Sequence, residues 1–119
     1  MEKVKKNAKI LLCVSLALIL VSSIVVSLVQ TNFGKVTMKE LNFETDRGYT
    51  MCAYLFIPEN ATAETPAPGI VTCHGWLNNK EMQDANYVEL ARRGYVVLAI
   101  DEFGNGDSET PPDLNYESV

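Results

Sequence analysis

The first hydrophobic pattern in the chain is continuous rather than periodic. From Ile10 to Val29 no side chain is charged, and 16 of the 20 are apolar. A helix rises about 1.5 Å per residue, so a run of this length spans about 30 Å, the hydrocarbon thickness of a bilayer. Ser15, Ser22, Ser23 and Ser27 are tolerable there, because a hydroxyl can bond back to its own helix's carbonyls. A cleaved signal peptide is the rival reading, but its apolar region ordinarily runs about 7–15 residues. A small-x-small cleavage pair is also missing from Ser27-Leu28-Val29-Gln30-Thr31. A lipoprotein signal fails because Cys13 comes too early and lacks small residues before it. The pattern predicts an uncleaved transmembrane signal anchor over residues 10–29.

Beyond it the pattern becomes periodic. Residues 30–35 read as a polar tether. Val36 to Phe43 alternates loosely as a first strand, and Asp46-Arg47-Gly48 is a turn signal. Tyr49 to Ile57 is the clearest strand, with Tyr49, Met51, Ala53, Leu55 and Ile57 on one face and Thr50, Cys52, Tyr54 and Phe56 on the other. Both faces carry apolar residues, as in a sheet covered on both sides. Residues 58–68 form an exposed loop containing the glycosylation sequon Asn60-Ala61-Thr62. Gly69 to Cys73 is a short buried strand leading into His74-Gly75-Trp76.

A helix is expected next. Asn78 reads as its N-cap, with Glu81 completing a variant of the capping box. Met82, Ala85, Val88 and Ala91 recur at the spacing of one helical face, and Glu81, Asp84 and Glu89 read as a solvated face. Arg92 and Arg93 suit the last turn, and Gly94 suits the left-handed position after it. Tyr95 to Ile100 is a second short buried strand, which opens into a loop over residues 101–108. Strand, helix and strand in this order make a βαβ unit with parallel strands and a right-handed crossover. Residues 109–119 show no pattern.

Composition narrows this picture. Of 119 residues, 47% are hydrophobic, and the anchor accounts for much of that share. The rest, residues 36–119 after the tether, is a small domain whose core would be thin. Residues 1–9 carry Lys3, Lys5, Lys6 and Lys9 against Glu2, a net of +3. Residues 30–119 carry six basic and fourteen acidic side chains, a net of −8. An acidic body repels phosphate backbones, which argues against nucleic acid as a partner. The basic flank instead favours an N-terminus in the cytoplasm, with the body on the other side of the membrane and lipid contacted through residues 10–29. Three cysteines make no disulfide framework. Cys13 reads as a small hydrophobe, and Cys52 and Cys73 as buried free thiols.

Two loops carry candidate chemistry. A loop at the carboxyl end of a buried parallel strand lies where open α/β sheets bind ligands. In His74-Gly75-Trp76 the glycine allows a sharp turn that exposes the next amide, and such an amide can bind an oxyanion. The competing reading is a strand-end turn, with His74 bonded locally and Trp76 packed on the helix. Gly104-Asn105-Gly106 invites a dinucleotide fingerprint, but Glu109 stands where a third glycine is needed. A calcium loop from Asp101 fails with Phe103 at its third position and Pro112 at its twelfth. Cys73 and His74 are adjacent in a strand and point to opposite faces, so no metal site is expected.

The order of these pieces resembles the opening of the α/β-hydrolases, closest to the esterase, dienelactone-hydrolase and serine-aminopeptidase-like branches. The resemblance rests on Gly69 to Trp76, the helix after it, and Ala91 to Asp101, and it runs from about Val36 to Glu109. It implies an α/β fold: the N-terminal part of a hydrolase sheet, a β-hairpin then βαβ, preceded by one transmembrane helix. It implies that Trp76 N–H is one oxyanion-hole amide, supported by His74 and Gly75. It also implies an active-site loop in which Asp101, Gly104, Gly106 and Ser108 match Asp-x-x-Gly-x-Gly-x-Ser. Phe103 departs from the arginine that many members carry there.

The family's nucleophile elbow, Gly-x-Ser-x-Gly, is not present in these residues, nor are the acid and histidine that follow it. Ser108 and Ser118 do not sit in that pattern. His74 precedes every candidate nucleophile, whereas the family's base comes last. The expectation is an N-terminal fragment of a membrane-anchored serine hydrolase acting on a small-molecule ester or a peptide bond. It would use no cofactor and be inactive by itself. The alternative is a non-catalytic anchored binding protein derived from a hydrolase half-domain.

Overall fold

A computed structural model describes residues 2–114. Helix α1 spans Glu2–Gln30, followed by β1 Val36–Glu44, β2 Thr50–Pro58, β3 Gly69–Cys73, α2 Asp84–Arg92 and β4 Val96–Ile100. The four strands form one mixed sheet in the order β1-β2-β4-β3. β1 and β2 are an antiparallel hairpin, β2 and β4 pair antiparallel, and β3 and β4 pair parallel. The βαβ unit is the one that the strand and helix spacing predicts, and the hairpin before it is the arrangement that the α/β-hydrolase resemblance implies.

The segment Val4–Gln30 is long and apolar enough to cross a membrane, and none of it is buried within the chain. Ser23 Oγ donates to Ile19 O at 2.9 Å, the back-bond that lets a serine sit in such a helix. Residues 31–35 form a tight turn with Asn32, Phe33 and Gly34 at positive φ. That turn is fastened to the end of β2 by Glu59 N–H donating to Lys35 O at 2.8 Å.

Helix α2 lies across one face of the sheet, where Val36, Phe56, Val97 and Ala99 meet Tyr87, Val88 and Ala91. The other face is apolar too, as the strand pattern predicts. Leu55, Leu98 and Val71 stand side by side in register. Among the described residues nothing covers them as α2 covers the first face, and Val71 is 66% exposed. Cys73, on the same open face of the edge strand, is exposed rather than buried. Cys52 is buried and lies on the opposite face, so the two thiols cannot pair.

The start of α2 also differs. Its first residue is Asp84, and its cap position is held by Gln83 with no side-chain bond, not by Asn78. Residues 80–83 run as turns instead, and Asn79 Oδ1 accepts from Glu81 N–H at 3.1 Å. Within these turns Lys80 is buried, its N–H and Nζ both donating to the Asp101 carboxylate. The buried stripe is accordingly Tyr87, Val88 and Ala91, while Met82 and Ala85 face solvent.

The proposed acidic face divides in the same way. Glu81 precedes the helix and accepts from Tyr54 OH at 3.1 Å. Asp84 is half-buried, and desolvation, followed by the nearby Glu81 charge, pushes its carboxyl above the usual range. Glu89 is exposed and pairs with Arg93 at 2.9 Å. The far end of α2 follows the sequence pattern. Gly94, at φ +94°, donates to Ala91 O at 3.0 Å, and Tyr95 N–H donates to Leu90 O at 3.3 Å. These two bonds are the Schellman closure.

Candidate functional site

Parallel pairing of β3 with β4 sets Cys73 beside Ile100. The loops that leave these strands, 74–83 and 101–109, therefore emerge side by side at the carboxyl end of the sheet. In open α/β sheets this is where ligands bind.

Asp101 is the hub that joins them. It is fully buried, a position that a carboxylate tolerates only when its oxygens are satisfied. Its Oδ1 accepts from Lys80 N–H at 2.6 Å, and its Oδ2 accepts from Lys80 Nζ at 2.7 Å and from Asp107 N–H at 3.0 Å. The Lys80 ammonium also donates to Asp107 Oδ2 at 2.6 Å and sits 4.8 Å from the centre of the Tyr54 ring. Burial acting alone would raise the Asp101 pKa, but the hydrogen bonds from Lys80 and Asp107 hold it below the usual carboxylate value. Burial likewise opposes the charge on Lys80, and its bonds to Asp101 and Asp107 outweigh that and carry the ammonium above the ordinary lysine value.

The remainder of the 101–109 loop is stitched to β2. Ser108 Oγ donates to Asp101 O at 2.8 Å and accepts from Cys52 N–H at 2.9 Å. Glu109 N–H donates to Thr50 O at 2.9 Å, and Glu109 Oε2 accepts from Thr50 N–H at 3.0 Å. Gly106 has φ +53°, and a Cβ there would collide with the Asp101 carboxylate. Glycine is required at this position on both counts. Ser108 is thus a buried structural hydroxyl with its donor and an acceptor position engaged.

His74 is the second link between the loops. It is 7% exposed, and its Nε2 accepts from Glu102 N–H at 3.1 Å. A nitrogen that accepts carries no proton, so Nδ1 is protonated and donates to Gly75 O at 2.9 Å. The imidazole is a neutral strut. One of its bonds is local, as the strand-end reading expects, and the other crosses to the neighbouring loop. Trp76 is 66% exposed rather than packed on the helix.

Between the loops lies a concavity of about 380 Å³, walled by Met51, Trp76, Leu77, Phe103 and Leu114, with His74 and Gly75 at one side and Glu102 and Asn105 at another. Phe103, at the position where the sequence departs from the hydrolase pattern, meets Tyr49 edge-on with ring centres 6.0 Å apart. The structure therefore brings His74, Gly75 and Trp76 to the same concavity as the 101–108 loop. Asp101, Gly106 and Ser108 lie behind it as supports. Ser118 lies outside the described residues.

Lys80 was not legible as part of this site, since a single lysine in a polar stretch reads as surface. The available signal was indirect: an aspartate ending a buried strand needs a counter-charge, and few cations exist in this acidic body.

No family model matches the sequence, and no curated protein does. Solved structures do match. A hypothetical protein from Pseudomonas aeruginosa is 32% identical with a TM-score of 0.57, over 66% of this chain and 24% of its own length. A thioesterase domain from the curacin biosynthetic pathway is 28% identical with a TM-score of 0.52, over 64% of this chain and 24% of its own. An alpha/beta hydrolase from Penicillium sp. sh18 shares the fold, at 21% identity and a TM-score of 0.54. This chain spans about a quarter of the length of each.

Proposed function

The chain is related to the α/β-hydrolase superfamily over the N-terminal part of that fold, and from this premise we propose that it is the N-terminal portion of a membrane-anchored serine hydrolase. The bond cleaved is an ester or a peptide bond. The observation that carries this reading is the pairing of the two loops at the strand ends, locked by Asp101–Lys80 and by His74, around a single concavity.

In this reading the nucleophilic serine, its acid and its base are contributed by sequence outside these 119 residues. That serine attacks the carbonyl carbon, and the carbonyl oxygen becomes an oxyanion. Trp76 N–H donates to it, held in place by the Gly75 turn and the His74 strut. One such donor is worth about 2.7–4 kcal/mol of transition-state stabilisation. Ser108 and His74 are not the nucleophile and base, because their hydrogen-bonding positions serve the loops themselves. The likeness to a thioesterase domain supports acyl transfer at this position. Residues 10–29 anchor the protein in lipid, with residues 1–9 cytoplasmic and the acidic body beyond the membrane, as the lysine asymmetry favours.

The oxyanion assignment is tested in the extended protein by Trp76→Pro, which removes the amide proton. The expected result is a fall in kcat of about 10²–10³, with KM raised as well, because the indole that lines the concavity is lost together with the amide proton. An unaltered kcat contradicts the assignment.

A further inference from the structure

Leu77 breaks two local rules at once. Its backbone is left-handed, with φ +56°, a conformation that suits glycine, asparagine or aspartate and disfavours leucine. Its side chain is also 81% exposed, so folding gains nothing from its apolar surface. Asparagine would meet both conditions better. What leucine supplies is an apolar wall at the concavity, which Trp76, Phe103 and Met51 line as well. Departures from local preference without a folding gain collect at functional sites.

The charges around the concavity define the ligand further. His74 is neutral, by its hydrogen bonds. The ammonium of Lys80 is buried between Asp101 and Asp107. Among the described residues lining the concavity, Glu102 carries the one formal charge. A carboxylate placed here meets a negative wall with no cation in it.

We propose that this concavity receives the neutral, apolar acyl or aryl part of the substrate, with Leu77 and Trp76 as its wall, and rejects acyl groups that carry a carboxylate. The proposal deepens the acyl-transfer reading and rests on it. Trp76 is the sole tryptophan, so its emission reports directly on occupancy.

The test uses the full 119-residue chain in phosphatidylcholine nanodiscs, titrated with 4-nitrophenyl butyrate and with the mono-4-nitrophenyl ester of succinate. The nitrophenyl group of either ester quenches indole emission. The butyrate ester is expected to quench saturably, and the succinate ester to bind about tenfold more weakly or worse. Leu77→Asn is expected to weaken butyrate binding about tenfold while leaving the thermal midpoint unchanged or higher, since asparagine accepts the left-handed backbone. A leucine with a purely structural role gives the reverse, a lower midpoint with binding intact. Equal affinity for both esters, or quenching that never saturates, overturns the proposal. Turnover of either ester by this chain counts instead against the assignment of the nucleophile to other sequence, and leaves the binding result to stand by itself.

Discussion

Asp101 and Lys80 show how two buried charges can organise a site. Each is almost wholly removed from water, at 0% and 1% side-chain exposure, and each satisfies the other at 2.7 Å. Removing one partner leaves the other charged and unpaired in the interior, so Lys80→Ala is expected to cost about 3–5 kcal/mol in urea denaturation. The same pair sets a pH window. Asp101 titrates below its ordinary value of 3.8 when folded, so its contribution is present above that pH and is lost as pH falls through the folded value. Lys80 titrates above its ordinary 10.5 when folded, so its contribution is present below that pH and is lost as pH rises through the folded value. Thermal midpoints measured across pH should form a plateau between these limits, with an acid limb that flattens in Asp101→Asn.

At this scale the sequence made the loops visible but not the links between them. His74, Gly75, Trp76, Asp101, Gly104, Gly106 and Ser108 stand in recognisable spacing. Lys80 follows no local pattern, because its place is set by Asp101 on the neighbouring loop, and the left-handed backbone of Leu77 has no sequence signal either.

Among the elements, strands were legible because alternation and flanking turn residues are local signals. β3 begins at Gly69 and ends at Cys73, as its apolar run and flanking Pro68 and His74 predict. The C-terminus of α2 was legible for the same reason, since Arg93, Gly94 and Tyr95 encode the closure within a few residues. Gly94→Ala places a Cβ in a left-handed backbone and 3.4 Å from Asn60 Nδ2, and is expected to cost about 1–2 kcal/mol by thermal denaturation. The N-terminus of α2 was not legible. Asn78 and Glu81 form a plausible cap by themselves, but Lys80 between them is held by the Asp101 carboxylate from a distant loop, and the helix begins at Asp84. Of the expected stripe Val88 and Ala91 are buried, and Tyr87 joins them in place of Met82 and Ala85.

The whole chain joins a long apolar helix to a four-stranded mixed sheet. Its sheet is covered by α2 on one face, while Val71, Leu98 and Leu55 line the other without a covering helix among the described residues. Sheets containing parallel strands are ordinarily covered on both faces, and the chain spans about a quarter of the solved structures that it resembles. Periodicity predicted apolar residues on both faces correctly. What it could not reveal is which element covers each face, because that depends on contacts distant in sequence.

In the proposed function, this chain presents the oxyanion loop of a serine hydrolase whose nucleophile lies in other sequence. A serine-directed fluorophosphonate probe tests it most directly, applied in parallel to the 119-residue chain and to a protein extended through a downstream Gly-x-Ser-x-Gly. Covalent labelling of the extended protein is expected, abolished by replacing that serine with alanine, with no labelling of the 119-residue chain. Robust labelling of the 119-residue chain, or none of the extended protein, contradicts it.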